Sequence, residues 1–236
     1  MTVRRLTGTL GLLLVLPLMA GMLLPAPSEA SVILVTSRAA LAGDDFIDWG
    51  QLGAAHALVP NPSAIVSNGG ITGTVGRENA GDLQRRNENP PNSGGWNGNF
   101  AAGDRLIWTN DTAGAMLIDL DSPVSGLGAQ IQMDRLLGLF DATIEVYDVL
   151  NNLLATFTIQ GDSNNNKDNS AVFLGVRADS KIIDHIVLYT NDARTSARDD
   201  FSINQLDLVT VPGPAALVMV GLGLLALAVA GRARRG

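Results

Sequence analysis

Between Ala142 and Gln160 apolar and polar side chains alternate with a period of two. Ile144 and Val146 fall on one face and Glu145 and Tyr147 on the other; further on, Leu153, Ala155, Phe157 and Ile159 alternate with Leu154, Thr156, Thr158 and Gln160. That period belongs to half-buried strands. Asn151-Asn152 stands between the two runs, and asparagine tolerates positive φ, so the pair predicts a two-residue hairpin turn. Similar short apolar runs predict strands at Arg105–Thr109, Ala115–Leu120, Leu127–Met133, Ala171–Val176, Ile182–Tyr189 and Phe201–Val209. Shorter ones are expected around Ala64–Val66 and Ile71–Val75. From Ala40 to Asn99 the chain is less regular, with turn-forming Asn61-Pro62, Asn68-Gly69-Gly70 and Asn89-Pro90-Pro91-Asn92. The segment from Asn87 to Asn99 predicts a long loop, of the kind that is functional or mobile. Many short strands and no helical period of useful length predict an all-β fold: an antiparallel β-sandwich, jelly-roll-like, with a closed barrel as the alternative.

Both ends of the chain depart from this pattern. Arg4 and Arg5 precede an apolar stretch from Leu10 to Leu24, and Ser28-Glu29-Ala30 follows Pro25 and Pro27. A basic start, an apolar middle and small residues at the cut predict a signal peptide cleaved between Ala30 and Ser31 by signal peptidase. At the other end, Ala215 to Ala230 is a run of sixteen apolar residues, followed by Arg232, Arg234 and Arg235. As a helix it would rise about 24 Å, enough for a single transmembrane helix in a thin bilayer with a snorkelling arginine. The arginines orient its end toward the cytoplasm. The predicted organisation is therefore a signal peptide (1–30), an exported domain (31–210) and a C-terminal sorting segment (211–236).

Pro212-Gly213-Pro214, the apolar run and the arginine-rich end together resemble the PEP-CTERM sorting signal of exported proteins in Gram-negative bacteria. The usual Pro-Glu-Pro reads Pro-Gly-Pro here. The resemblance implies handling by an exosortase, transient anchoring in the inner membrane and release to the cell surface or medium. It also implies a setting of exopolysaccharide and biofilm. Segments of the body, among them DRLIWT (104–109), VSGLGAQIQ (124–132) and DFSINQL (200–206), are similar to stretches in uncharacterised exported proteins that carry such tails. This second resemblance implies a β-sandwich and brings no catalytic residue with it.

Charge narrows the exported domain's partners. Of 16 basic residues five lie in the termini, leaving 11, and of 23 acidic residues only Glu29 does, leaving 22; the domain carries about 11 net negative charges. Such a surface repels nucleic acid. The chain has no cysteine, which excludes thiol catalysis and leaves the exported domain to be held by its core or by a metal.

The sequence shows no nucleophile elbow, no zinc-protease helix and no phosphate-cradling loop, so no catalytic residue is assigned and a non-enzymatic protein is expected. Of the two histidines, His56 and His185, the second sits in an apolar strand as a structural residue would. Two acidic clusters have the oxygen-rich chemistry that calcium takes: Asp44 and Asp45 with Asp48, and Asp199 and Asp200 with Asn204. If the first and last strands are neighbours, Asp44, Asp45, Asp199 and Asp200 would share one structural Ca2+; otherwise they are solvated turn and edge carboxylates. Asp162 to Asp168 begins like an EF-hand loop but has Lys167 where the glycine belongs, and an ordinary polar loop is the expectation. Trp96 is either an exposed platform for a sugar ring or a cap on the sandwich edge. The sequence thus supports an exported surface or matrix protein contacting exopolysaccharide, with a calcium-stabilised carbohydrate-binding module as the alternative.

Overall fold

The computed structural model describes residues 31–88, 95–135 and 138–211. Along the chain run β1 (Val32–Val35), a short helix α1 (Arg38–Leu41), β2 (Asp45–Ile47), a 3-10 turn (Trp49–Leu52), β3 (Leu58–Val59), β4 (Ser63–Val66), β5 (Thr72–Arg77) and β6 (Leu83–Asn87). There follow β7 (Arg105–Trp108), β8 (Met116–Val124), β9 (Gly126–Met133), β10 (Gly138–Tyr147), β11 (Leu153–Ser163) and β12 (Val172–Ala178). The last elements are β13 (Ile183–Asp192), β14 (Arg198–Asp199), β15 (Phe201–Ile203) and β16 (Leu206–Val209). Among the described residues no helix is long and apolar enough to cross a membrane; Ala215 to Ala230 lie outside them.

The strands form two antiparallel sheets. One has nine strands, in the order β1-β12-β9-β15-β7-β6-β3, with β16 beside β9 and β2 beside β16; the other has seven, in the order β11-β10-β13-β8-β5-β4, with β14 beside β13. Their facing sides share one apolar core. Leu127, Ala129, Ile131 and Met133 of β9 meet Ile118 and Leu120 of β8, Ile144 and Val146 of β10, and Ile186 and Leu188 of β13. This is the all-β sandwich that alternation along the chain predicts.

Local chemistry explains where strands start and stop. The strand expected over Phe201–Val209 is two strands, β15 and β16, lying end to end along β9 and interrupted at Asn204-Gln205. Asn204 turns this break into a junction. Its Oδ1 accepts from the backbone N of Gln130 at 2.9 Å and from Arg38 at 3.1 Å. Its Nδ2 donates to Gln130 Oε1 at 2.7 Å and Asp104 at 2.9 Å, and its carbonyl accepts from Trp49 Nε1 at 2.8 Å. The β10–β11 connection is also longer than the two residues expected. It runs from Asp148 to Asn152 because the Asp148 carboxylate accepts from the backbone N of Leu150 and Asn152, both at 2.9 Å, with Asn151 alone at positive φ.

The two outer faces differ. Over the nine-stranded sheet, Gln130 and Gln132 point away from the core yet are buried. Gln132 accepts from Trp96 Nε1 and Asn99 N and donates to Ser163 Oγ and Asn164 O; Gln130 donates to Asn169 and Ala171. Amide side chains suit this task because each carries donors and acceptors at once. The loops they hold roof the sheet with a second apolar cluster of Trp96, Phe100, Leu106, Trp108 and Ala171. Helix α1 closes another part, with Leu41 packed among Val35, Phe173 and Val209. The middle strands of the seven-stranded sheet carry no such roof among the described residues, and Leu117 at their centre is 40 % exposed.

Candidate functional site

The open sheet face is built by cross-strand register. Tyr147 of β10 lies opposite His185 of β13, which lies opposite Asp119 of β8. One row further along, Glu145 lies opposite Val187, which lies opposite Leu117; then Thr143 lies opposite Tyr189. Alternation on each strand puts all of these on the same side.

Their side chains are tied together. The hydroxyls of Tyr147 and Tyr189 donate to the two oxygens of Glu145 at 2.7 and 3.2 Å. The Glu145 bond, followed by burial, raises the Tyr147 hydroxyl's pKa; burial and then the Glu145 charge raise that of Tyr189. Both phenols therefore stay neutral donors. The Tyr147 and His185 rings stack with centroids 4.8 Å apart and planes within 5°. Arg198 from β14 lies 3.8 Å over the Tyr189 ring and reaches Glu78 at 3.3 Å. Between Glu145 and this Arg198–Glu78 pair runs an open groove of about 240 Å³, with Ala115, Leu117 and Val187 as its apolar lining. An apolar floor between fixed carboxylates and a guanidinium can hold a small polyhydroxylated ring: carbon-bound hydrogens below, hydroxyls at the rim.

The aromatic platform expected at Trp96 is not there. Trp96 is 5 % exposed, packs against Phe100 and Trp108 with centroids 6.4 and 5.9 Å away, and spends its N–H on Gln132 at 3.0 Å. It is the cap that the sequence offered as the other choice. Trp49 and Trp108 are equally buried.

The four aspartates proposed for one Ca2+ are also separated. The first strand, β1, lies beside β12, and it is β2 that lies beside the last strand, β16; there Asp45 pairs opposite Leu208, which pairs opposite Leu127, the second residue of β9. Asp200 lies at the other end, its carbonyl accepting from Asp134 just past β9. Seven residues from Leu127 to Asp134, at ~3.3 Å each, put the two pairs roughly 23 Å apart. Asp44 accepts from the N and Oγ1 of Thr210 at 2.6 and 2.8 Å; burial opposes its charge, but these bonds hold its carboxyl below the usual range. Asp45 is bonded by Ser67 Oγ and by Phe46 N and Gly69 N. Asp199 caps the N–H of Asp200. Asp48, the third acid of the first cluster, pairs with Arg105. Of the Asp162–Asp168 segment, Asp162 and Ser163 end β11, and the rest is a polar loop, folded back by bonds from Asn166 N to Asn164 and from Ser170 N to Asp168.

Two other groupings place metal-type ligand atoms within 4.8 Å of one another: Asp111, Asp134 and Asp200, and Asp119, Asp184 and His185. In the first, Asp200 is 9 % exposed and accepts from Trp108 Nε1 at 2.9 Å. Burial, then the neighbouring Asp134 charge, pushes its carboxyl up to about 7, and burial also raises Asp134. Three carboxylates are about half the oxygens calcium takes, and burial beside Asp134 favours the protonated form of the inner one. The other strongly shifted acid is Glu88, fully buried at the end of β6 and pushed up to about 7 by burial despite a bond from Gly98 N and the charge of Lys167. His56 lies 3.0 Å from an Arg86 nitrogen. Ser31 is the first described residue, and it is exposed; Ala30, Pro212, Gly213, Pro214, Arg232, Arg234 and Arg235 lie outside the described residues.

The groove has no signature in the sequence because its parts come from five separated stretches of chain. Glu78, Leu117, Glu145 and Arg198 carry no motif between them. The alternation at Glu145 and Tyr147 was the one available sign, since it showed which residues face outward.

No family model matches the chain, and no curated protein does. Among solved structures, a DUF4465 family protein from Bacteroides caccae is 11 % identical, with a TM-score of 0.37, covering 75 % of this chain and 99 % of that one. The module CsCBM6-3 from Clostridium stercorarium, solved in complex with cellobiose, is 9 % identical, with a TM-score of 0.27, covering 54 % of this chain and 94 % of that one.

Proposed function

We propose that this chain is an exported, non-enzymatic surface or matrix protein whose jelly-roll-like sandwich binds extracellular polysaccharide on the open face of the seven-stranded sheet. The observation that carries this reading is the groove floored by Ala115, Leu117 and Val187 and rimmed by Glu145, Glu78 and Arg198. Its volume of about 240 Å³ is below that of a typical drug-sized pocket, which favours one sugar unit of a longer chain. Glu145 and Arg198 are already oriented, the first by two tyrosine hydroxyls and the second by the Tyr189 ring and Glu78. A rim ordered before binding loses little side-chain entropy when a ligand arrives. Glu145 is held by two phenol donors as an oriented acceptor, which supports binding rather than turnover.

Delivery belongs to the same proposal. The signal peptide would bring the domain across the inner membrane, and the PEP-CTERM-like tail would hold it there until an exosortase releases it at the cell surface. Mass spectrometry of envelope and medium fractions tests this part: a species lacking 215–236 is expected, and full-length tail alone in every fraction would refute processing.

Retention on immobilised exopolysaccharide tests the groove. Arg198→Ala should weaken retention about tenfold, as losing one charge-assisted hydrogen bond does, with the melting temperature moving by no more than a few degrees. Failure of the unaltered protein to bind any glycan on an array, or equal retention of the variant, would defeat the reading.

A further inference from the structure

Register carries one level of the sandwich across both sheets. Val32, at the start of the described chain, pairs with Ala178, and Ala178 N donates to Ser125 O. Val209, at the end, pairs with Gly126, and Ser125 N donates to Val209 O. The preceding Val124 pairs with Ile183 in the other sheet, two residues from His185, which pairs with Tyr147 at the mouth of the β10–β11 hairpin. Both ends of the described chain and the hairpin tip therefore emerge from the same end of the molecule.

That end also leaves several apolar side chains in solvent. Val149 is 67 % exposed, Leu150 75 %, Leu153 55 % and Val211 57 %. The tip is preformed: besides the two backbone bonds, Asp148 accepts from Asn152 Nδ2 at 2.9 Å, and Asn151 N donates to Asp148 O at 2.9 Å. Leucine and valine on a braced loop have no partner in the fold, and single exposed apolar residues need no explanation. Three on one tip, level with the point from which a hydrophobic tail departs, do.

Resting on the reading of that tail as a membrane span, we propose that Val149, Leu150 and Leu153 are a second membrane contact, dipping into the bilayer surface beside the tail. Three residues, four Cα steps, separate Val211 from Ala215, so a fully extended link is no longer than about 14 Å. A tether that short holds this end of the sandwich, and with it the tip, against the headgroups. Asp148 lies in the tip, and Asp179, Lys181 and Asp184 lie on the β12–β13 connection and the start of β13 at the same end; their excess is acidic, so the contact is apolar and gains nothing from anionic lipid. Held this way, the sandwich has two points of attachment, which restricts its tilt and leaves the sheet-face groove pointing along the membrane plane.

The chain has no cysteine, so a single reporter is simple to place. Full-length protein carrying Leu150→Cys, labelled with an environment-sensitive dye, is reconstituted by its tail into phosphatidylcholine nanodiscs free of other protein. Asn165→Cys, in the polar loop at the opposite end, is the control. The expected result is a blue-shifted emission at 150, quenched by spin-labelled lipid and unchanged by adding phosphatidylserine, with the dye at 165 remaining aqueous. If the protein co-elutes with the discs and the dye at 150 is as aqueous as that at 165, the tip contact is overturned while the tail reading stands. If the protein does not enter the discs, the tail reading fails and this proposal with it.

Discussion

Asp200→Asn should make the protein more stable in mild alkali, which is the reverse of what loss of a buried hydrogen-bonded carboxylate does to most proteins. Burial and the Asp134 charge raise the folded-state pKa of Asp200 from 3.8 to about 7. A carboxyl raised on folding binds its proton more tightly in the native state. Its contribution is therefore complete below the unfolded value of 3.8 and is lost as pH rises through about 7. In that window the slope approaches about 1.4 kcal/mol per pH unit. Between about pH 5 and pH 8 the loss attributable to Asp200 comes to about 3 kcal/mol at most, since Asp134 shares the titration. For a domain of this size that corresponds to roughly 5–10 °C in melting temperature. Asparagine copies the protonated acid: its oxygen can still accept from Trp108 Nε1, now at 2.9 Å, and its NH2 can donate to Asp134. Thermal melts followed by circular dichroism at several pH values are the assay. The unaltered protein should melt lower at pH 8 than at pH 5, and the variant should recover most of that difference at pH 8. Parallel curves for the two proteins across the range would refute the protonated Asp200.

Glu88→Gln should act in the same direction, because burial raises Glu88 from 4.5 to about 7; the double variant should show a flatter melting profile than either single one. Asn204→Ala removes an acceptor of two bonds and a donor of two more at the break between β15 and β16, and should cost at least about 3 kcal/mol in urea unfolding. Gly128→Ala brings a methyl within 2.8 Å of the Phe173 ring and 2.7 Å of the Gly175 backbone, an overpacking worth about 1–3 kcal/mol; an unchanged denaturation midpoint would show that β9 and β12 can separate to admit it.

The strands that were legible in the sequence share a property. β10 and β13 each place one side in the core and one in water, and the edge strand β11 lays Phe157 and Ile159 against the core between exposed neighbours, so alternation marked them. β6 was illegible because it carries Arg85 inward, 3 % exposed, where the pattern calls for an apolar residue. β1 reads Val-Ile-Leu-Val without alternation, and β2 and β3 are too short to show any period. Trp96 illustrates the same limit. The sequence put it in a long polar loop, and nothing local said that Gln132, thirty-six residues away, would draw its N–H down onto the sheet.

What the sequence determined by itself was therefore local or additive: strand identity where one face is wet, the acidic balance and the absence of thiols. Each depends on composition or on neighbours within a few residues. Tertiary structure alone decided which outer face is roofed and which is open, because that depends on Gln130 and Gln132 gathering loops from three parts of the chain. It alone separated Asp44 and Asp45 from Asp199 and Asp200, since register along β9 sets that distance. It also assembled Asp111, Asp134 and Asp200, where burial, with repulsion between the acids, raises the proton affinity of Asp134 and Asp200. Pairwise proximity between distant residues is fixed only when strands choose their partners, and no local pattern of side chains encodes that choice.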